Sequence, residues 1–230
     1  MMTLQRRALL KGMAVGGAAG VAMASSGLGL ANSVLGRSVP AQCASLAIVS
    51  PEVAGSAFVQ GLQASPASAQ LQVLPSGLEL AFVQALQQRL ANGKGQRLIG
   101  LVDDASAALI IDLARSAGAR IQWLGQHSAA ADRTAHQLLS AQAAHGCALQ
   151  LGHQLHVCGQ GFSLHEQRLH SPAPTLQLAT ARRAKAGDQW AATLGYALAV
   201  LGSTDTGQAP LIASRPSALT GTYVSFSIAV

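Results

Sequence analysis

Two groups of residues in this chain have the types and spacing for chemistry. Glu52, Asp103, Asp104 and His127 each follow a short apolar run. Two or three carboxylates beside an imidazole can share general acid and base work, or hold a divalent metal. His156, Cys158 and His165 form the second group. Neutral imidazole and thiolate suit zinc or copper. All seven histidines fall between His127 and His170, and Cys147 and Cys158 share that window.

Each group also has a plain structural explanation. Asp103 or Asp104 followed by Ser106 is what a helix N-terminus needs for capping, and Glu52 and His127 suit a solvated surface. A chain poor in lysine uses histidine and glutamine as polar surface. No Cys-x-x-Cys or His-x-x-x-His pair is present, and no Gly-x-Ser-x-Gly elbow, phosphate loop or haem-attachment motif accompanies either group. The small basic cluster Arg182, Arg183 and Lys185 reads as a solvated loop.

The elements that must position these residues alternate over the first half of the chain. SLAIVS (45–50), LQVLP (71–75), RLIGLV (97–102) and RIQWLGQ (120–126) read as strands, separated by helices at AGSAFVQGLQA, 77–93 and 103–118. This order predicts an α/β fold, a three-layer α/β/α arrangement with a mainly parallel, Rossmann-like sheet over residues 45–126. In such a sheet ligands bind outside the carboxyl ends of the strands, where Glu52, Asp103, Asp104 and His127 would converge. The pattern resembles one lobe of a type I periplasmic binding protein or a flavodoxin-like domain.

The second half predicts a helix over 133–146 and a β-hairpin of CALQLGHQLHVC and FSLHEQRL about the Gly159–Gly161 turn. On that hairpin His153 and His156 point to opposite faces, whereas His156 and Cys158 share one, with His165 across the turn. A surface connection over 171–187, a helix over 188–202 with Asp188 as its cap, and a terminal strand TYVSFSIAV complete the chain. If two cysteines pair, Cys147 and Cys158 are the natural partners, leaving Cys43 odd.

Hydrophobic residues make up 50% of the chain but aromatic ones only 3%, so the core must be Leu, Val and Ala, and ring-lined sugar or base platforms are disfavoured. Charged residues amount to only 10%, well below the usual quarter, which leaves Gln, Ser and Thr to carry the polar surface. The formal charge is +6, and Arg6, Arg7 and Lys11 supply half of it, leaving about +3 spread evenly over the rest. That distribution excludes the basic stripe of a nucleic-acid binder.

Those three cations stand before an uncharged run from Gly12 to Gly36 that is rich in Gly, Ala and Ser. A basic head, an apolar middle and small residues at Gly29-Leu30-Ala31 are the plan of an export signal. Gln5-Arg6-Arg7-Ala8-Leu9-Leu10-Lys11 resembles the twin-arginine (Tat) signal. The resemblance implies a signal peptide over 1–31; behind it the length and the strand–helix alternation predict a linker over 32–44 and a single α/β domain over 45–230. The resemblance further implies contact with the Tat translocase during export, a periplasmic location and no membrane anchor after cleavage. The run is too weakly hydrophobic for a stable membrane span.

Tat carriage moves folded chains, sometimes beside a cofactor-bearing partner. With no complete catalytic motif, the leading expectation is a periplasmic accessory or small-ligand-binding protein, possessing no cofactor that the sequence identifies. The alternatives are a periplasmic hydrolase using Glu52, Asp103, Asp104 and His127, and a metal-binding protein using His156, Cys158 and His165.

Overall fold

In the computed structural model, residues 44–130, 132–159, 161–169, 176–180, 187–201, 207–211 and 219–230 are described. The export-signal residues Arg6, Arg7 and Lys11, the linker up to residue 43, and the Arg182–Lys185 cluster lie outside them. The elements run β1 (Ala44–Val49), α1 (Pro51–Ala54), α2 (Ala57–Gln63), β2 (Gln72–Pro75), α3 (Leu80–Asn92), β3 (Arg97–Val102) and α4 (Asp104–Ser116). They continue with β4 (Arg120–Ala129), β5 (Thr134–Ser140), α5 (Cys147–Val157), β6 (Phe162–Arg168), β7 (Leu176–Thr180), α6 (Gln189–Val200) and β8 (Gly221–Ala229).

All eight strands join one mixed sheet in the order β2-β1-β3-β8-β4-β5-β6-β7. The pairs β1–β2, β1–β3 and β5–β6 are parallel; β3–β8, β8–β4, β4–β5 and β6–β7 are antiparallel. The α/β class is therefore as expected, but the sheet is not mainly parallel. The terminal strand β8 inserts between β3 and β4, so the fourth strand is no neighbour of the third. The place of β8 is set by pairing between residues 92 to 132 positions apart, which local periodicity does not record.

Two cores form on opposite faces because side chains alternate along each strand. On one face Ala47, Val49, Ile99, Leu101, Trp123 and Tyr223 pack with α2, α5 and α6. On the other, Leu46, Ile48, Leu98, Phe226 and Ile228 pack against Leu86 and Leu90 of α3 and Ile110 of α4. This second layer covers β2, β1, β3 and β8 and reaches Ile121 and Leu124 of β4. Over β4 to β7 the same face carries the exposed residues Gln126, Gln137, His165, Gln167 and Gln177, and no described helix lies on it.

Helix α6 is buried from Trp190 to Val200. Its approach to α2 depends on two glycines. A Cβ on Gly61 would lie 1.9 Å from the Ala192 carbonyl oxygen, and one on Gly195 would lie 2.2 Å from that of Phe58. The carbonyls at the end of α6 need donors in the interior. Arg97, at the start of β3, donates to Leu198 and Leu201 through Nη1 and to Ala199 through Nη2, at 2.8–3.1 Å.

Two expected elements exchange character. Residues 134–140 are strand β5 and not a helix, because Thr134, His136, Leu138 and Ser140 all point inward at a period of two. Residues 147–157 are helix α5 and not half of a hairpin. Ala148, Leu151, Gly152 and Leu155 form its buried stripe, and Gly146 enters it with a positive φ of 83°. The C-terminal helix and strand stand where expected. Among the described residues, no helix is long and apolar enough to cross a membrane.

Candidate functional site: a buried histidine pair behind an open polar face

Strand β4 continues through His127 to Ala129, then turns through a bond from the Ala130 amide to the Arg133 carbonyl into β5. That turn sets His127 directly opposite His136. The pair lies on the α6 side of the sheet, with His127 0% and His136 2% exposed. Nδ1 of His127 is 2.8 Å from Nδ1 of His136. His127 Nε2 reaches Ser225 Oγ at 2.7 Å, and His136 Nε2 reaches Thr134 Oγ1 at 2.9 Å. Trp123 Nε1 donates to the same Ser225 oxygen at 2.9 Å. Trp190 of α6 lies over both imidazoles, with ring centroids 5.8 Å from each.

The hydrogen bonds form a chain with a direction. A neutral imidazole has one N–H and one acceptor nitrogen, so a single proton lies between the two Nδ1 atoms. One order leaves its unused hydroxyl proton at Thr134, the first residue of β5. The reverse order would leave it at Ser225, whose oxygen would then receive a second N–H, from His127, beside that of Trp123. The favoured order therefore runs from Trp123 N–H to Ser225, from the Ser225 hydroxyl to His127 Nε2, from His127 Nδ1–H to His136, and from His136 Nε2–H to Thr134. Gly125 makes room for it: a Cβ there would stand 2.7 Å from Ser225 Oγ and 2.8 Å from His127 Nε2.

Burial holds His127 well below the ordinary imidazole range, and the neighbouring His136 pushes it further down. Burial alone brings His136 down to about 4. Both rings are therefore neutral at pH 7. A hydroxyl, an imidazole and a third group in line have the connectivity of a hydrolase triad. Here the hydroxyl already accepts the Trp123 indole proton and its residue is wholly buried. The arrangement fixes the register of β4, β5 and β8 and fills the interior beneath Trp190.

The first sequence-predicted group is distributed as follows. Asp103 caps α4, accepting from the Ser106 amide at 2.9 Å and the Ser106 hydroxyl at 2.7 Å. Burial raises its carboxyl, but the bonds from Ser106 outweigh this and leave it below its ordinary value. Asp104 is exposed and accepts from the Thr222 hydroxyl at 3.4 Å. Glu52 is exposed in the first turn of α1. It acts on Tyr223, whose phenol is raised by burial, then by the charges of Glu52 and Asp188. His127 has both nitrogens committed to the interior, so its imidazole does not face the carboxylates.

The second group is divided by the sheet. His156 lies on the exposed side of α5, and Cys158 caps that helix with its thiol pushed up by burial. His165 is on the opposite, open face of the sheet, beside Gln177 at 3.5 Å. Among the described residues, no three His, Cys, Asp or Glu side chains are grouped to hold a metal. Cys147 and Cys158 stand at opposite ends of α5, about 16 Å apart by helical rise. That exceeds the reach of a disulfide, and none joins them.

The open face is itself a register-built feature. Gln126 pairs with Gln137, Gln137 with His165, and His165 with Gln177, so four hydrogen-bonding side chains form one row across β4, β5, β6 and β7. Gln126, Gln137 and His165 of this row, with Leu124, Leu139 and Gln167, line a hollow of about 390 Å³. The sequence signal for this row was a polar residue at the outward position of each strand once 134–140 is read as a strand. Compared with protein families, curated proteins and solved structures, the chain matches none.

Proposed function

We propose that this is a Tat-exported periplasmic accessory or small-ligand-binding protein whose contact surface is the open face of β4 to β7. The observation that carries this reading is the row Gln126, Gln137, His165 and Gln177, the first three of which line an open hollow. Glutamine amides both donate and accept, so the row favours a neutral ligand or partner rich in hydrogen-bonding groups. In this reading the β2-β1-β3-β8 half, with helices on both faces, is the three-layer, Rossmann-like support. The buried histidine pair is a frame that holds the contact strands in register.

Two experiments test the halves of this reading. Replacing Arg6 and Arg7 together by Lys in the native host should remove the mature protein from the periplasmic fraction; unchanged export contradicts the Tat assignment. Native mass spectrometry of the protein taken from that fraction should show a retained small molecule or partner that Gln137→Arg displaces. Protein that carries nothing, or whose cargo is indifferent to Gln137→Arg, contradicts the binding surface.

A hydrolase reading has one supporting observation. The Asp104–Thr222 bond and the effect of Glu52 on Tyr223 bring both carboxylates to the start of β8. It keeps Glu52 and Asp104 as acid and base and leaves Asp103 to its cap and His127 to the interior. Hydrolysis of a substrate panel that is lost in Asp104→Ala would favour it over the binding role.

A further inference from the structure

The exchange of a strand for helix α5 changes what two of its histidines can do. On a strand, a spacing of three sends His153 and His156 to opposite faces. On a helix the same spacing makes them neighbours, with Cβ atoms about 5–6 Å apart. Both are exposed, on the side away from the buried stripe of Ala148, Leu151, Gly152 and Leu155. From Cys147 to Val157 the helix carries no Lys or Arg to repel a cation and no carboxylate to engage an imidazole. His156 lies in the last turn, where the unsatisfied carbonyls give the helix end a partial negative charge.

We propose that His153 and His156 form a bidentate surface site on α5 for a borderline divalent transition metal of the copper, nickel or zinc type. Imidazole nitrogen is the donor these ions share, and water completes the coordination. Cys158 is the C-cap, only partly exposed, and takes no part. The ligands must be unprotonated, so protons compete with the metal and binding weakens in acid. Because the ion clips two positions of a folded helix, it also raises thermal stability. The site is independent of the open face, since α5 packs on the other side of the sheet.

Calorimetric titration of the untagged protein with nickel chloride at pH 7.5 tests the site. One ion per chain is expected, with weaker binding at pH 5.5 and an upward shift in Tm. His153→Gln and His156→Gln should each lower affinity by more than about tenfold, the loss that even an outer partner of a metal ligand can cause. His145→Gln and His165→Gln, also exposed, should leave it unchanged. No binding overturns the proposal. So does binding that survives in His153→Gln or His156→Gln, or that falls equally when His145 or His165 is replaced.

Discussion

The Nδ1 atoms of His127 and His136 face each other at 2.8 Å across the β4–β5 pair, inside a closed set of partners. One proton satisfies both nitrogens; two would put N–H against N–H at that distance. The pair is thus stable only while it is neutral or singly protonated, and each added proton must enter a fully buried site. Its neighbours limit compensation. Tyr223 on β8 lies against Trp190, Asp188 at the cap of α6 acts on Tyr223, and Asp188 already accepts from the Leu219 amide. Glu166 on β6 accepts from Ser140 and lies 4.0 Å from Arg168.

Stability should therefore fall in acid. A histidine lowered in the folded state leaves the unfolded chain binding more protons, so stability rises with pH between the two values. The contribution is fully present above about 6.5, the unfolded value, and is lost as pH falls toward the folded value of about 4 for His136. That window corresponds to about 3 kcal/mol by pH 4 from His136, and His127 acts in the same direction. Urea unfolding followed by tryptophan emission at pH 7.5 and pH 5 measures it. Both tryptophans, Trp123 and Trp190, report from this cluster. Equal stability at the two values would contradict the buried neutral pair.

Ser225→Ala should cost more than Thr134→Val. The first strands the Trp123 indole proton and His127 Nε2 together, a loss of about 2 kcal/mol or more. The second removes one partner at the end of β5, worth about 1 kcal/mol. Urea midpoints for the two variants measure the difference: equal or reversed costs would contradict Ser225 as the shared partner of Trp123 and His127.

Gly195→Ala tests the α2–α6 contact. The added methyl meets the Phe58 backbone rather than a side chain that can rotate, so the helices must separate. A loss of about 3 kcal/mol is expected, at the upper end for overpacking. Gly55→Ala, where no atom lies within 4 Å, should change little. Similar thermal shifts in the two variants would show that the helices are not in contact through their backbones.

Much of the local structure was legible in the sequence, because burial follows period there. The apolar run 97–102 is strand β3, the 77–93 pattern contains α3, and Asp103 with Ser106 caps α4 as its spacing predicts. Helix α5 misled because Leu149 and Val157, 55% and 63% exposed, complete an alternating pattern with Leu151 and Leu155. The histidine pair was hidden by the neighbouring misreading. Once 134–140 is a strand, pairing Ala129 with Thr134 places His127 opposite His136 by counting alone. Nothing local foretold β8 entering between β3 and β4, and with it Ser225 reaching both Trp123 and His127.

The central claim is that this protein meets its ligand on the open face of β4 to β7, with the histidine pair serving as support behind it. Site-specific photo-crosslinking in the native host tests this most directly, with the reactive group placed at Gln137 on that face or at Gln88 on the exposed side of α3. A discrete periplasmic adduct from Gln137 and none from Gln88 is predicted. No adduct from Gln137, or the same adducts from both positions, would contradict the account.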